Sequence, residues 1–312
     1  MGALAAVLFA ALAGFAAQRG SVCAVAAVGD LVHRRDPRRF IAFFECALWS
    51  LALLAAASVV GFRPAQAPSD YAPGLLAAAG GAVFGLGAAV NGACAFGTVA
   101  RLGRGELAFL AMPLGFMAGA AAMSQFVDGP QAFPDAGYAA LPQFAVWGIV
   151  FFVGSQLFRM LDAVRSPAEA WRRLKASEWH PSFAMAAIGL SSALLMIAFA
   201  PWPYSAVLLE IGARAEVNQL GLRLLLAALF LIGAALAARL AGSLKVVTPD
   251  KWDIAEKAFG GALMGAGAFL IPGGNDSLVL TGLPHLFGYA AIAYAAMAIV
   301  IAAALIVRKR MK

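Results

Sequence analysis

The segment GGAVFGLGA at residues 80–88 recurs as GGALMGAGA at residues 260–268, and six of the nine positions are identical. The difference between their starting positions (260 − 80) defines a repeat offset that other parts of the chain can be tested against. Each copy runs directly into residues that interrupt a helix, NGAC at 91–94 in the first case and PGGND at 272–276 in the second. An internal repeat whose apolar helices break at matching positions is typical of membrane proteins that bind a solute at the breaks.

The composition places most of the chain in a membrane. Of its 312 residues, 62% are hydrophobic and 12% are charged, and the mean hydropathy is +0.84. A soluble domain carries about 25% charged residues. In this sequence, apolar runs of about 20 residues, long enough to cross the hydrocarbon core of a bilayer, recur along the whole length. We therefore predict an all-α polytopic membrane protein.

Apolar segments predict about nine transmembrane helices. Their expected limits are 3–20, 40–61, 74–93, 105–126, 142–160, 181–200, 219–241, 255–274 and 285–307. The repeat offset maps the first four segments onto the last four and leaves one segment between them. Because an odd connecting span reverses orientation, this pattern predicts an inverted 4+1+4 repeat with broken or re-entrant helices at the membrane midplane.

The expected units are a first half at residues 1–130, a linking span and loop at 131–180, and an inverted second half at 181–312. Glycine-rich segments also occur wherever membrane helices pack closely, so the repeated nonapeptide alone would indicate only packing. The agreement of four spans at a single offset favours a true repeat.

The distribution of cations predicts the orientation. The net charge is +7, and the basic residues concentrate in loops at 33–39, 101–104, 159–175, 239–251 and 308–312. Basic loops remain in the cytoplasm, so we expect the N-terminus outside and the C-terminus inside a prokaryotic inner membrane. Cations in short loops between apolar runs indicate contact with the lipid bilayer and not with nucleic acid.

Two cysteines lie at the predicted breaks of the first half. Cys23 follows the first apolar segment, and Cys94 follows the third. Backbone that leaves the helix inside a membrane must be buried in protein or line a wet cavity, and helix N-termini there attract anions. A thiol is a soft and weak donor, so the pair predicts a site for a sulfur-containing anion. The alternative is that both cysteines only fill space between packed helices.

Further residues around the breaks complete the predicted substrate site. They are Arg19, Asn91, Gly92, Arg101, Gly274, Asn275 and Asp276. The two arginines flank breaks and either hold an anion or anchor their helices at the membrane edge. Asp276 ranks second as a ligand, because a carboxylate repels an anion unless it is protonated.

The sequence offers no reason to expect a metal, a cofactor or an enzyme. None of the three histidines has a cysteine or carboxylate at ligand spacing. Cys46 lies within a regular span, where the packing of helices explains a cysteine. There is no phosphate-binding loop and no nucleophile–base arrangement.

At the breaks, the chain resembles the YeeE/YedE family of membrane proteins, which is implicated in sulfur transport. The similarity rests on RGSVC at 19–23, on the glycine-rich segment 85–105, which contains NGACAFG, and on PGGND at 272–276, and it extends over nearly the whole chain. It implies an inverted-repeat bundle of hourglass shape. The best understood members take up thiosulfate and pass the ion along central cysteines.

Cys23 and Cys94 match two of the family's cysteines, and the third belongs in the second half, where this chain has none. Gly274 stands one repeat offset after Cys94 instead. We therefore predict an uptake transporter for thiosulfate or a related small sulfur anion, with a separate cytosolic protein as the sulfur acceptor. The alternatives are a membrane sensor that binds a sulfur species without flux, and a sulfur-transfer protein that forms a persulfide.

Overall fold

The computed structural model describes residues 2–61, 68–133, 143–163, 171–172, 175–199, 202–215 and 219–311. Helices dominate this part of the chain. Within it, the named strands are β1 (Asp70–Tyr71) and β2 (Ala132–Phe133), which form one short antiparallel pair.

The helices follow the apolar segments of the sequence. Up to the linking span they are α1 (Gly2–Arg19), α2 (Ala24–Arg34), α3 (Arg38–Val59), α4 (Leu75–Asn91), α5 (Ala95–Gly103), α6 (Ala111–Met123) and α7 (Gln143–Ala163). After it come α8 (Pro181–Ala198), α9 (Tyr204–Gly212), α10 (Leu220–Leu240), α11 (Lys251–Leu270), α12 (Asn275–Ser277) and α13 (Gly288–Arg310). A 3-10 turn, Leu107–Leu110, precedes α6, and a π-helical turn, Leu278–Gly282, continues α12.

Six of the described helical segments are long and apolar enough to cross a membrane. They are Leu4–Arg34, Arg38–Val59, Leu75–Gly103, Pro181–Ala198, Leu220–Leu240 and Gly288–Arg310. A seventh span results when Lys251–Leu270 and Asn275–Gly282, which are bent by 45°, are taken together. The two remaining predicted spans correspond to shorter apolar helices, Leu107–Met123 and Val146–Gln156. The protein is a multi-pass helical membrane protein, and the number nine stays a prediction.

Helices are interrupted at the three breaks described above and again at Pro203, one repeat offset after Cys23. α1 ends before Ser21, whose φ of 48° no right-handed helix can continue. α4 ends at Asn91, directly before Gly92, whose φ of 73° favours glycine. The residues that immediately precede the four following helices are Cys23, Cys94, Pro203 and Gly274. They form two pairs, and the members of each pair are separated by the repeat offset.

The two copies of the nonapeptide pack against each other where α4 meets α11. A Cβ atom at Gly87 would lie 2.7 Å from the carbonyl oxygen of Gly260, and one at Gly267 would lie 2.6 Å from that of Gly80. Only glycine permits such an approach of two helix backbones. Around this centre, α11 also packs on α6 and α4 on α13, while α1 packs on α8 and α10, and α3 on α8.

Candidate functional site

Helices that begin at the breaks meet inside the protein. The backbone N–H of Ala24, at the start of α2, donates to Cys94 Sγ at 3.1 Å. The N–H of Ala95, at the start of α5, donates to Asn275 Oδ1 at 3.0 Å. The hydroxyl of Tyr204, at the start of α9, donates to the Ala95 carbonyl oxygen at 2.7 Å. These three bonds connect α5 to α2, α12 and α9, so the broken ends of both halves form one central junction.

The first-half side of this centre is a pair of thiols, which we call the thiol junction (Cys23 and Cys94). Cys94 is fully buried and precedes α5, whereas Cys23 is partly exposed and precedes α2. The two cysteines are neighbours, since Cys94 Sγ accepts the N–H of Ala24, the residue that follows Cys23, at 3.1 Å. A Cβ atom at Gly97 would lie 2.5 Å from Cys23 Sγ, so the glycine provides the room for this thiol. The predicted pair of cysteines is thus brought together.

Asn91 and Gly92 shape the turn that presents Cys94. The Asn91 side-chain amide donates to the Ala93 carbonyl oxygen at 2.7 Å and to Thr98 Oγ1 at 3.2 Å. Gly92 has φ 73° and reverses the chain. Both residues therefore position the cysteine through the backbone, and neither forms a hydrogen bond with its sulfur in the described part of the chain.

The second-half side carries a hydroxyl and a carboxyl, which we call the carboxyl junction (Gly274, Asp276, Ser205 and Ser277). The Ser205 hydroxyl donates to Asp276 Oδ1, and the Ser205 N–H donates to Asp276 Oδ2 at 3.2 Å. The Gly274 N–H donates to Ser205 Oγ at 2.8 Å, and Ser277 Oγ lies 3.2 Å from the same atom. Asp276 is only 2% exposed, and it forms no ion pair among the described residues. Each polar group around Ser205 thus has a partner within the cluster.

The two predicted arginines lie in different places. Arg19 is buried, donates from Nη1 to the Ala176 carbonyl oxygen at 2.9 Å and stacks on Phe15 at 5.1 Å, and its Nε has no partner in the described structure. Arg101 lies at the far end of α5, where it is exposed and paired with Glu106 at 2.9 Å. The structure therefore does not bring Arg101 to the central junction.

A surface pocket of about 200 Å³, which we call the vestibule, lies beside Arg19. Its charged lining consists of Arg19, Arg34, Arg38, Arg39, Asp30, Asp36 and Glu178. Asp30 is paired with Arg34 at 3.5 Å and with Arg39 at 3.0 Å. The side chain of Arg38 donates to Asp36 and lowers the pKa of that carboxyl to about 2. The lining therefore remains charged, with one more cation than anions.

A narrow cleft of about 10 Å³ leads inward from the vestibule. The two cavities share Gly20, Ser21, Arg39 and Pro181, and the cleft also touches Cys23. The cleft has room for about one water molecule. Cys23 thus lies at the inner end of a route that is charged at the vestibule and mostly apolar within the cleft, and the buried Cys94 lies beside it.

Two functional candidates, Ser205 and Tyr294, were not identified from the sequence. Ser205 stands two residues after the proline that precedes α9, a signal that marks the helix start but not its partners. Tyr294 is a hydroxyl-bearing residue within an otherwise apolar segment, which was the available signal. It is 2% exposed, and its ring lies 6.2 Å from that of Phe43, which lines the cleft together with Cys23.

The chain was compared with models of known protein families and with curated proteins. A family model described as sulphur transport matches residues 19–303, a range that includes every residue of both junctions. The match confirms the resemblance inferred from the motifs at the breaks. No curated protein matches the chain.

Proposed function

This chain belongs to the YeeE/YedE sulphur transport family, and on that premise we propose that it takes up thiosulfate or a related small sulfur-containing anion across a prokaryotic inner membrane. The observation that carries the proposal is the approach of the two cysteines at the inner end of the cleft, where Cys23 lines the cavity and Cys94 Sγ accepts the N–H of Ala24. Both thiols stand at helix starts, where the positive end of the helix dipole attracts anions. Soft sulfur donors suit a sulfur anion better than a hard phosphate.

The proposed path uses the thiols in order of depth. Cys23 is the contact on the vestibule side, and Cys94 is the contact deeper in the protein. The anion would exchange hydrogen bonds from one thiol to the next, with the start of α2 beside the first thiol and the start of α5 beside the second. Arg19, whose Nε is unpartnered in the described structure, supplies positive charge at the vestibule end.

The arrangement of the helices supports an inverted repeat of residues 1–130 and 181–312 around the linker 131–180. α1 packs on α10, and their counterparts α8 and α3 pack on each other in the same way. Likewise, α4 packs on α13, and their counterparts α11 and α6 pack on each other. With basic loops in the cytoplasm, the N-terminus lies outside, the C-terminus inside, and the vestibule opens to the cytoplasm. The vestibule is then the exit, where a separate cytosolic sulfur-acceptor protein would take the product.

Uptake by purified protein in proteoliposomes tests the proposal. We expect Cys94→Ala to lower the initial rate of labelled thiosulfate accumulation at least about tenfold, because one charge-assisted hydrogen bond contributes roughly 1.5–3 kcal/mol. Cys46→Ala is the matched control, since Cys46 is a buried cysteine in the regular helix α3, and its rate should stay close to that of the wild type.

Three results would contradict the proposal. Equal uptake by Cys94→Ala and wild type would remove the thiols from the path. Saturable binding without accumulation would favour a sensor over a transporter, and a mass increase of one sulfur atom on Cys23 or Cys94 would favour a persulfide-forming protein.

A further inference from the structure

Two buried donors near the thiol junction lack hydrogen-bond partners. The hydroxyl of Tyr294 and the side-chain nitrogen of Asn275 contact no acceptor in the described residues, although the two residues are 2% and 0% exposed. An unsatisfied buried donor is costly, and native proteins contain few of them. Two such donors beside one pair of cysteines indicate a ligand that supplies acceptors.

Asn275 holds its free amide group next to Cys94. Its Oδ1 accepts the N–H of Ala95, the residue that follows Cys94, at 3.0 Å. This bond fixes the plane of the amide, because the oxygen and nitrogen share one rigid group. The NH₂ of Asn275 is thereby kept beside the start of α5 without being used by the protein.

Tyr294 approaches the thiols from α13 and is held firmly. Its ring lies 6.2 Å from Phe40, 6.2 Å from Phe43 and 5.6 Å from Phe44, the last in an edge-on contact. Phe43 also lines the cleft that reaches Cys23. Phe43 in turn lies 6.1 Å from Phe96, which follows Cys94 by two residues at the start of α5. The side chain of Tyr294 is therefore held close to the inner end of the cleft by its contact with Phe43.

We propose that Tyr294 and Asn275 bind the oxygen atoms of the anion while Cys23 and Cys94 contact its sulfur, so that the site selects sulfur oxyanions over sulfide. This inference rests on the proposed function and deepens it. Hydroxyl and amide N–H groups are strong donors that suit oxygen acceptors, and thiols are weak donors that suit polarizable sulfur. Hydrosulfide has a single heavy atom, so an ion held against the two thiols has no second acceptor atom to offer the two strong donors.

Equilibrium binding to purified protein in detergent tests the inference with two probes, thiosulfate and hydrosulfide. Tyr294→Phe should weaken thiosulfate binding about tenfold, the value of one hydrogen bond to a charged acceptor. It should leave hydrosulfide binding unchanged. It should not lower the melting temperature either, since the hydroxyl gives up no hydrogen bond, whereas a residue with a purely structural role would lower it.

Asn275→Asp and Tyr289→Phe complete the experiment. Asn275→Asp keeps an oxygen for the N–H of Ala95 but replaces the donor with a negative charge, so thiosulfate binding should be lost. Tyr289 is the matched control on α13, because it is buried against Tyr71 at 5.2 Å, and Tyr289→Phe should bind both anions like the wild type.

The outcomes separate this inference from the function on which it rests. Wild-type affinity for thiosulfate in Tyr294→Phe, or an equal loss of affinity for both anions, would overturn the role of the hydroxyl. Wild-type protein that binds neither anion would contradict the proposed function itself and the inference with it.

Discussion

The thiol junction and the carboxyl junction have nearly the same backbone conformation, but they differ in how far their polar groups are hydrogen-bonded within the protein. Cys94 has φ −82° and ψ −174°, and Gly274, at the matching position, has φ −89° and ψ −172°. At the carboxyl junction, Ser205 joins the groups around it in hydrogen bonds. At the thiol junction, the donors of Asn275 and Tyr294 remain unused. The same backbone arrangement is thus closed by hydrogen bonds on one side and keeps unused donors on the other.

A single residue accounts for much of this difference. The repeat offset pairs Ser205 with Val25 in the first half. A valine side chain can neither accept nor donate a hydrogen bond, so it cannot form a cluster like that around Ser205. Ser205 fills the same region with a hydroxyl and leaves no space for a side chain on Gly274. The third thiol that the family resemblance implies is therefore replaced by an internal hydrogen-bond cluster.

The largest expected effect on stability comes from opening the carboxyl junction. Asp276→Ala removes both acceptors of Ser205 and leaves its buried N–H unsatisfied, which should lower the free energy of unfolding by about 3 kcal/mol. Cys94→Ala removes one weak sulfur acceptor and should cost about 1 kcal/mol. Thermal unfolding in detergent without substrate measures both.

Asp276→Asn is the conservative control, because it keeps one oxygen for the N–H of Ser205. Its free energy of unfolding should lie between that of the wild type and that of Asp276→Ala. If Asp276→Ala were as stable as Cys94→Ala, the carboxyl junction would not be the self-satisfied side of the pair.

The positions of the breaks were predictable because their signals are local. Glycine, proline and asparagine interrupt apolar runs, and the repeated nonapeptide marks where two helices approach closely. The roles of Ser205 and Tyr294 were not predictable, since each depends on partners that only the folded chain brings near. Arg101 shows the opposite case, in which a residue near the site in sequence lies away from it in the structure. It is close to Cys94 in sequence, yet seven residues of helix carry it about 10 Å along the axis of α5.

A second prediction concerns a variant that adds a third cysteine at position 274, one repeat offset after Cys94. Gly274→Cys would place a Cβ atom 2.7 Å from Ser205 Oγ and 2.9 Å from Asp276 Oδ1. Such overpacking should cost about 2 kcal/mol, measured by thermal unfolding. Gly221→Cys in α10 is the control, because an added Cβ there meets no atom within 4 Å, and its melting temperature should not fall. An undiminished melting temperature for Gly274→Cys would show that the junction has room for a third cysteine.

The smallest expected effect concerns how an anion passes the vestibule. Arg39 lines both the vestibule and the cleft, so Arg39→Gln should reduce thiosulfate uptake about twofold to fivefold, and more strongly at low ionic strength, where charges are less screened. Arg101→Gln is the matched control and should leave uptake unchanged, because Arg101 is exposed and paired with Glu106 away from the junction.

The effect of Arg39 should not vary across the neutral pH range. The Arg38 guanidinium lowers the pKa of Asp36 to about 2, so this carboxyl is already ionised well below that range and contributes the same charge throughout. An equal loss of uptake in Arg39→Gln and Arg101→Gln would indicate a general effect of surface charge. A loss confined to Arg39→Gln would place the route on the Cys23 side of the thiol junction, where the cleft ends.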